Sequence, residues 1–145
     1  MGCVELLIQS RCMKSKPIKK STNKKKPTKT QLIKKCDILW AEITKKRAGF
    51  RCEYCGETHY LNSHHIFSRS NKSTRWDLNN ACVLCPAHHT FSSTFSAHKT
   101  SVEFIEWIKQ KRGEKWYQEL RKHASEIKQH TTQSLTLLLE SLKNL

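Results

Sequence analysis

The sequence predicts a small α+β domain in which helices at both ends frame a short-stranded middle rich in metal ligands. Three observations predict it. Apolar residues recur at helical spacing from residue 30 and again beyond residue 100, whereas residues 50–99 carry a weak apolar signal and gather most of the Cys and His. Within that middle lie two short Cys/His pairs with the spacing of metal half-sites.

The elements follow in order. Residues 1–35 hold eleven Lys and Arg against one acid, and the run KSKPIKKSTNKKKPTKT (14–30) is poor in apolar residues and carries two prolines. Such a segment has too little to bury and is expected to be disordered when free, as a phosphate-binding arm or a solubilising tail; Lys24, Lys25 and Lys26 are its densest cations. From Thr30, a plausible N-cap, the residues Leu32, Ile33, Cys36, Leu39, Trp40 and Ile43 recur on one helical face, and Cys36 reads there as a small buried hydrophobe. Beyond the middle, Thr100 and Glu103 have capping-box spacing. Val102, Ile105 and Ile108, joined by Phe104, then form a helical face that Gly113 ends. A second helix carries Trp116, Leu120, Ala124 and Ile127. A third, near 132–144, carries Leu135, Leu138, Leu139 and Leu142. Its leucine stripe reads as core packing, with docking of a partner or a homodimer as the alternative. The chain thus divides into a basic arm (1–29), a central domain with flanking helices (30–130) and a C-terminal leucine-rich helix (131–145).

The chain has 145 residues and a net charge of +15, from 27 Lys and Arg against 12 Asp and Glu. That balance favours a polyanionic partner, nucleic acid first, because clustered cations release condensed counterions from phosphates. Seven cysteines are an odd number for a disulfide framework, and the opening MGCVELLIQSRC has too short an apolar run for a secretory signal. No stretch reaches the roughly 18 apolar residues of a membrane span. A reducing, cytoplasmic setting is therefore expected, where grouped cysteines read as metal ligands.

Cys52-x-x-Cys55 and Cys85-x-x-His88 are separated by 29 residues, and Gly56 suits a sharp turn after the first pair. Each pair lets two side chains from one turn grip the same ion, and four Cys/His ligands make a closed tetrahedral site for Zn²⁺. Cys82 and His89 are alternative ligands; Cys85/His88 is preferred because it leaves His89 free for another task.

Between the half-sites runs SHHIFSRSNKSTRWDLNNACVLCPAHH (63–89). The order His64–His65, Asn80, Cys85, His89 resembles the HNH endonucleases, the ββα-metal or His-Me finger family, in their zinc-knuckle form. Arg75-Trp76-x-x-x-Asn80 and the flanking helices are similar, more loosely, to phage recombination nucleases of the Rap/NinG type. The chain departs from that subgroup at His64, where a small residue is usual, and at His88–His89, where Cys-Asn is usual. The resemblance implies a ββα-metal core with structural zinc, flanked by N- and C-terminal helices, that hydrolyses DNA to 5′-phosphate and 3′-hydroxyl ends in phage recombination or DNA processing within a bacterial cell. It implies that His64 and His89 bind a catalytic Mg²⁺ or Mn²⁺ (Zn²⁺ or Ni²⁺ being alternatives for a His-rich site), that His65 is the general base, and that Asn80 fixes the base or reaches the metal. His98 competes with Asn80 as a third ligand.

The residues carry the same logic by themselves. Phosphodiester hydrolysis needs an activated water and stabilised charge, and imidazole and a divalent ion supply them near neutral pH. On a regular strand His64 and His65 point to opposite faces, so they cannot share one task. Arg75 is a candidate phosphate contact, with an ion pair to Asp77 as the alternative. His59, His123 and His130 read as structural or solvated.

Overall fold

The computed structural model describes residues 25–145. The basic arm, Lys24 included, lies outside the described residues up to that point; Lys25 and Lys26 are exposed in the lead into the first helix.

Helix α1 (Lys29–Arg47) starts at Thr28, not Thr30. The Thr28 hydroxyl accepts from Gln31 N–H at 3.3 Å, and the Gln31 side chain accepts from Thr28 N–H at 2.9 Å. Thr30 has Ile33 three residues on, which cannot close such a box. Leu32, Cys36, Trp40 and Ile43 form the buried stripe of α1.

Strand β1 (Asn62–His65) pairs antiparallel with β2 (Ala81–Leu84), in the register Ser63–Val83, His64–Cys82 and His65–Ala81. The alternation of the pleat sends successive residues to two separate cores. Ala81 joins the core made by α1, Trp76 and the leucines of α4 (Thr132–Lys143). Cys82 and Leu84 join the other, with Phe95, Phe104 and Ile108. His65 lies on the α1 side, stacked on Trp40, while the His64 ring meets Phe104 edge-on at 5.2 Å. The result is a mixed α+β domain whose two-stranded sheet separates two small cores.

After β2 the chain makes one π-helical turn (Ala87–Phe91) and a loop before α2 (Ser101–Arg112). The Cys85–His89 segment therefore opens a single turn and not a long helix. The expected Thr100–Glu103 box does not form. The Thr100 hydroxyl instead accepts from Ser96 N–H at 2.8 Å and donates to the Ser96 carbonyl at 3.1 Å, closing the preceding loop. Phe104 and Ile108 carry the burial of α2, and Val102 is 66% exposed, so the buried face is rotated from the one expected. Gly113, at φ 94°, ends α2 and begins α3 (Glu114–Ala124). Because α3 stops at Ala124, Ile127 falls outside it and is 96% exposed.

In α4, Leu135, Leu139 and Leu142 are buried against α1, and Leu138 is partly so. The leucine stripe is thus core packing. No helix among the described residues is long and apolar enough to cross a membrane.

Candidate metal centre and active site

Two groups of ligating side chains form on the side of the sheet away from α1. The first joins Cys52, Cys55, Cys85 and His88, whose ligand atoms all lie within 4.8 Å of one another. Cys55 Sγ is 3.9 Å from Cys85 Sγ, and Cys52 Sγ is 3.8 Å from His88 Nδ1. A zinc tetrahedron with bonds of about 2.3 Å has edges of about 3.8 Å, so the donor set and its spacing fit a metal such as Zn²⁺. The first pair sits on a tight turn in which Gly56 N–H reaches the Cys52 carbonyl at 2.8 Å, and Gly56 takes φ 81°, a conformation glycine reaches without strain. Burial pushes the Cys55 thiol up to about 11, and the Cys52 and Cys85 sulfurs add to the rise. Cys52 runs the other way: burial disfavours its thiolate, but hydrogen bonds from the backbone of Cys55, Cys85 and Tyr54 outweigh burial and lower its pKa, favouring the form that binds metal. Tyr54 covers the cluster, stacked on Phe95 at 3.8 Å and tilted on His88 at 4.5 Å. Cys82 stays apart, fully buried in β2, where desolvation holds its thiol well above the ordinary range.

The second group joins His64, His89 and His98, again with ligand atoms within 4.8 Å. His89 Nε2 and His98 Nε2 are 3.3 Å apart. The loop after the π-helical turn folds back to make this possible: Ala97 N–H meets the His88 carbonyl at 2.9 Å and His98 N–H meets the His89 carbonyl at 3.2 Å. Thr90 Oγ1 lies 3.1 Å from His89 Nδ1 and orients that ring. Burial first, then the neighbouring imidazoles, pushes His64 down to about 3; burial and His98 likewise lower His89. These two rings are therefore neutral near pH 7 and offer lone pairs. Three convergent imidazoles can hold one transition-metal ion and leave it open positions.

His65 has a different environment. Its ring stacks on Trp40 at 3.9 Å, and its Nε2 lies 2.9 Å from the Arg75 carbonyl. A carbonyl only accepts, so Nε2 carries the proton and, in the neutral ring, Nδ1 keeps a bare lone pair. Burial outweighs the favourable Arg75 carbonyl and lowers the His65 pKa.

Asn80 is fully buried, and its amide is committed to the β1–β2 connection. Its Oδ1 accepts from Phe67 N–H at 2.7 Å, and its Nδ2 donates to the Phe67 and Thr74 carbonyls at 2.9 and 3.0 Å. Of the two roles open to it, the structure gives it the loop, which leaves His98 beside His64 and His89.

Arg75 pairs with Asp37 on α1 and not with Asp77. Its Nε and Nη2 donate to the two carboxylate oxygens at 3.0 and 2.7 Å. Trp76 Nε1 donates to the same carboxylate at 2.8 Å. Asp77 is taken by His123 at 2.9 Å, and its carbonyl accepts from Trp40 Nε1 at 3.1 Å. Asp37 and Trp40 therefore fix both the ring of His65 and the backbone that holds it. Sequence reasoning missed Asp37. The available signal was an acid three residues before Trp40, at the border of an apolar helical stripe in a basic chain. His130 donates to the Lys72 carbonyl and His59 pairs with Glu57 at the surface, both away from the two clusters.

Against known proteins, the chain matches no family model, no curated protein and no solved structure.

Proposed function

We propose that this protein is a metal-dependent endonuclease of the HNH type, built on a ββα-metal core, that hydrolyses DNA phosphodiester bonds. One observation carries the reading: His65, with its Nδ1 lone pair bared by the Arg75 carbonyl, stands at the end of β1 next to His64, which joins two further imidazoles.

The two functions lie on opposite faces of one strand end, so a phosphodiester that meets both must lie across that end. His65 Nδ1 takes a proton from water, and the resulting hydroxide attacks phosphorus. The P–O3′ bond breaks, giving a 5′-phosphate and, after protonation, a 3′-hydroxyl. An ion held by His64, His89 and His98 would supply Lewis-acid stabilisation of charge on the phosphoryl and leaving oxygens. An all-imidazole ligand set favours Zn²⁺ or Ni²⁺ over Mg²⁺ and Mn²⁺, which prefer oxygen donors. The Cys/His cluster acts as a staple: Cys85 and His88 hold the turn from which His89 projects. Asn80 ties the connection between the strands, and the net charge of +15 supports a polyanionic substrate.

Plasmid cleavage by the full chain, metal by metal, tests this. Cleavage should require a divalent ion and should fall at least about a hundredfold in His65→Ala, the lower range for a positioned proton acceptor. Binding without cleavage under every metal, or an unimpaired His65→Ala, overturns it.

A further inference from the structure

A groove of about 520 Å³ lies on the outer edge of β2, reaching Cys52 of the Cys/His cluster but none of His64, His89 and His98. Its walls include the end of α1, the Leu78–Asn79 turn, Ala81, Val83, the end of α2 and Trp116. Four cations line it, Arg47, Arg51, Lys111 and Arg112, against a single carboxylate, Glu53.

That carboxylate is already engaged. Glu53 accepts from Arg112 at 2.8 and 3.0 Å and from Val83 N–H at 3.0 Å, and Lys111 Nζ donates to its carbonyl at 2.7 Å. Arg47 and Arg51 have no carboxylate partner among the described residues. The groove therefore keeps two uncommitted guanidinium groups, whose planar forks match phosphate oxygens. Arg112 and Lys111 line it from the other wall, fixed in place by Glu53.

Its position gives a distance. Ala81, in the groove wall, is the register partner of His65. The outer edge of β2 lies about two strand spacings, roughly 10 Å, from β1 and its catalytic end. Successive phosphates of one strand rise about 3.4 Å along the duplex axis but stand roughly 7 Å apart along the backbone, so that distance spans about one to two phosphates.

We propose that this groove is a backbone-binding site for the DNA that the His65 site cuts, with Arg47 and Arg51 holding a phosphodiester about one or two phosphates from the scissile bond. The proposal rests on the endonuclease reading. It assigns the register of the strand to charges on the far edge of the hairpin.

The test uses the full chain and short DNA duplexes in which one backbone phosphate at a time is replaced by an uncharged methylphosphonate. The parent should lose affinity most when the neutral linkage stands about one or two phosphates from the cut. Arg47→Ala/Arg51→Ala should abolish that positional penalty and flatten the slope of log Kd against log salt by about 0.9 for each phosphate the protein no longer neutralises. Both residues are exposed, so melting temperature and zinc content should match the parent. Lys115→Ala/Lys122→Ala, on exposed positions of α3, should keep the positional penalty. A retained penalty in the Arg47/Arg51 variant, or an equal loss in the Lys115/Lys122 variant, overturns the groove while leaving the nuclease reading standing. A parent chain that binds no DNA overturns both.

Discussion

Asp37→Asn isolates the support of His65 from its chemistry. An amide at position 37 keeps one oxygen able to accept from Arg75 Nε and Trp76 Nε1, now 3.0 and 2.8 Å away. It loses the oxygen that receives Arg75 Nη2 at 2.7 Å and presents a donor there instead. A charge-assisted hydrogen bond is worth about 1.5–3 kcal/mol. The side chains of Arg75 and Asp37 are 19% and 30% exposed, so solvent screening places this one near about 1.5 kcal/mol. Passed entirely to the alignment of His65 through the Arg75 carbonyl, that loss slows the chemical step roughly tenfold. The assay is single-turnover plasmid nicking at saturating protein, beside a salt titration of DNA affinity. The expected pattern is a slower step with undiminished affinity, because the change frees a guanidinium and removes a negative charge. Zinc content and melting temperature, measured in parallel, separate misalignment from unfolding. An unchanged rate at saturation, or a loss confined to affinity, would refute the positioning role and return Arg75 to the DNA interface.

Cys52→Ser should bind less zinc and melt at a lower temperature, since metal binding there is also folding energy; elemental analysis and calorimetry check it, and an unaltered melting curve sinks the staple. His98→Ala should lower the metal content from two ions per chain to one while leaving the Cys-bound ion in place, and a full complement in that variant would remove His98 from the ligand set. Leu139→Ala, in the interface between α4 and α1, should destabilise the chain by about 3 kcal/mol in denaturant titration without altering zinc content, whereas a near-zero effect would mean that α4 is dispensable.

The parts of this molecule that could be read from sequence are those fixed by local spacing. Cys52-x-x-Cys55 and Cys85-x-x-His88 each belong to one turn, and the apolar periods of α1 and α4 each belong to one helix. What could not be read depends on interactions between distant segments. Arg75 looked toward Asp77, two residues away, yet pairs with Asp37, thirty-eight residues earlier. Thr100 looked toward Glu103 and is instead taken by the loop before it. His98 was one of two candidate ligands because no spacing rule covers the eight residues between it and His89; backbone hydrogen bonds from Ala97 and His98 to His88 and His89 decide its place. The groove at β2 was invisible for the same reason, since its cations come from the end of α1 and the turn after it and from the end of α2, which meet only in the fold.

The two ligand clusters depend on each other through one turn. Cys85 and His88 face the first cluster and His89 the second, within a segment of five residues. That turn buries none of its own residues, so it draws little stability from packing. What holds it is the Cys/His cluster on one side and the returning 92–98 loop on the other. A metal held by the first cluster would thus set the position of His89 in the second. On the other face of the sheet, α1 is held by α4 and in turn holds His65 through Trp40 and, by way of Arg75, through Asp37. A four-residue strand cannot position two neighbouring imidazoles by itself. Here each face of that strand is braced by its own device, a cluster of Cys and His side chains on one side and a helix pair on the other, which is how so short a hairpin holds His64 and His65 at neighbouring positions on opposite faces.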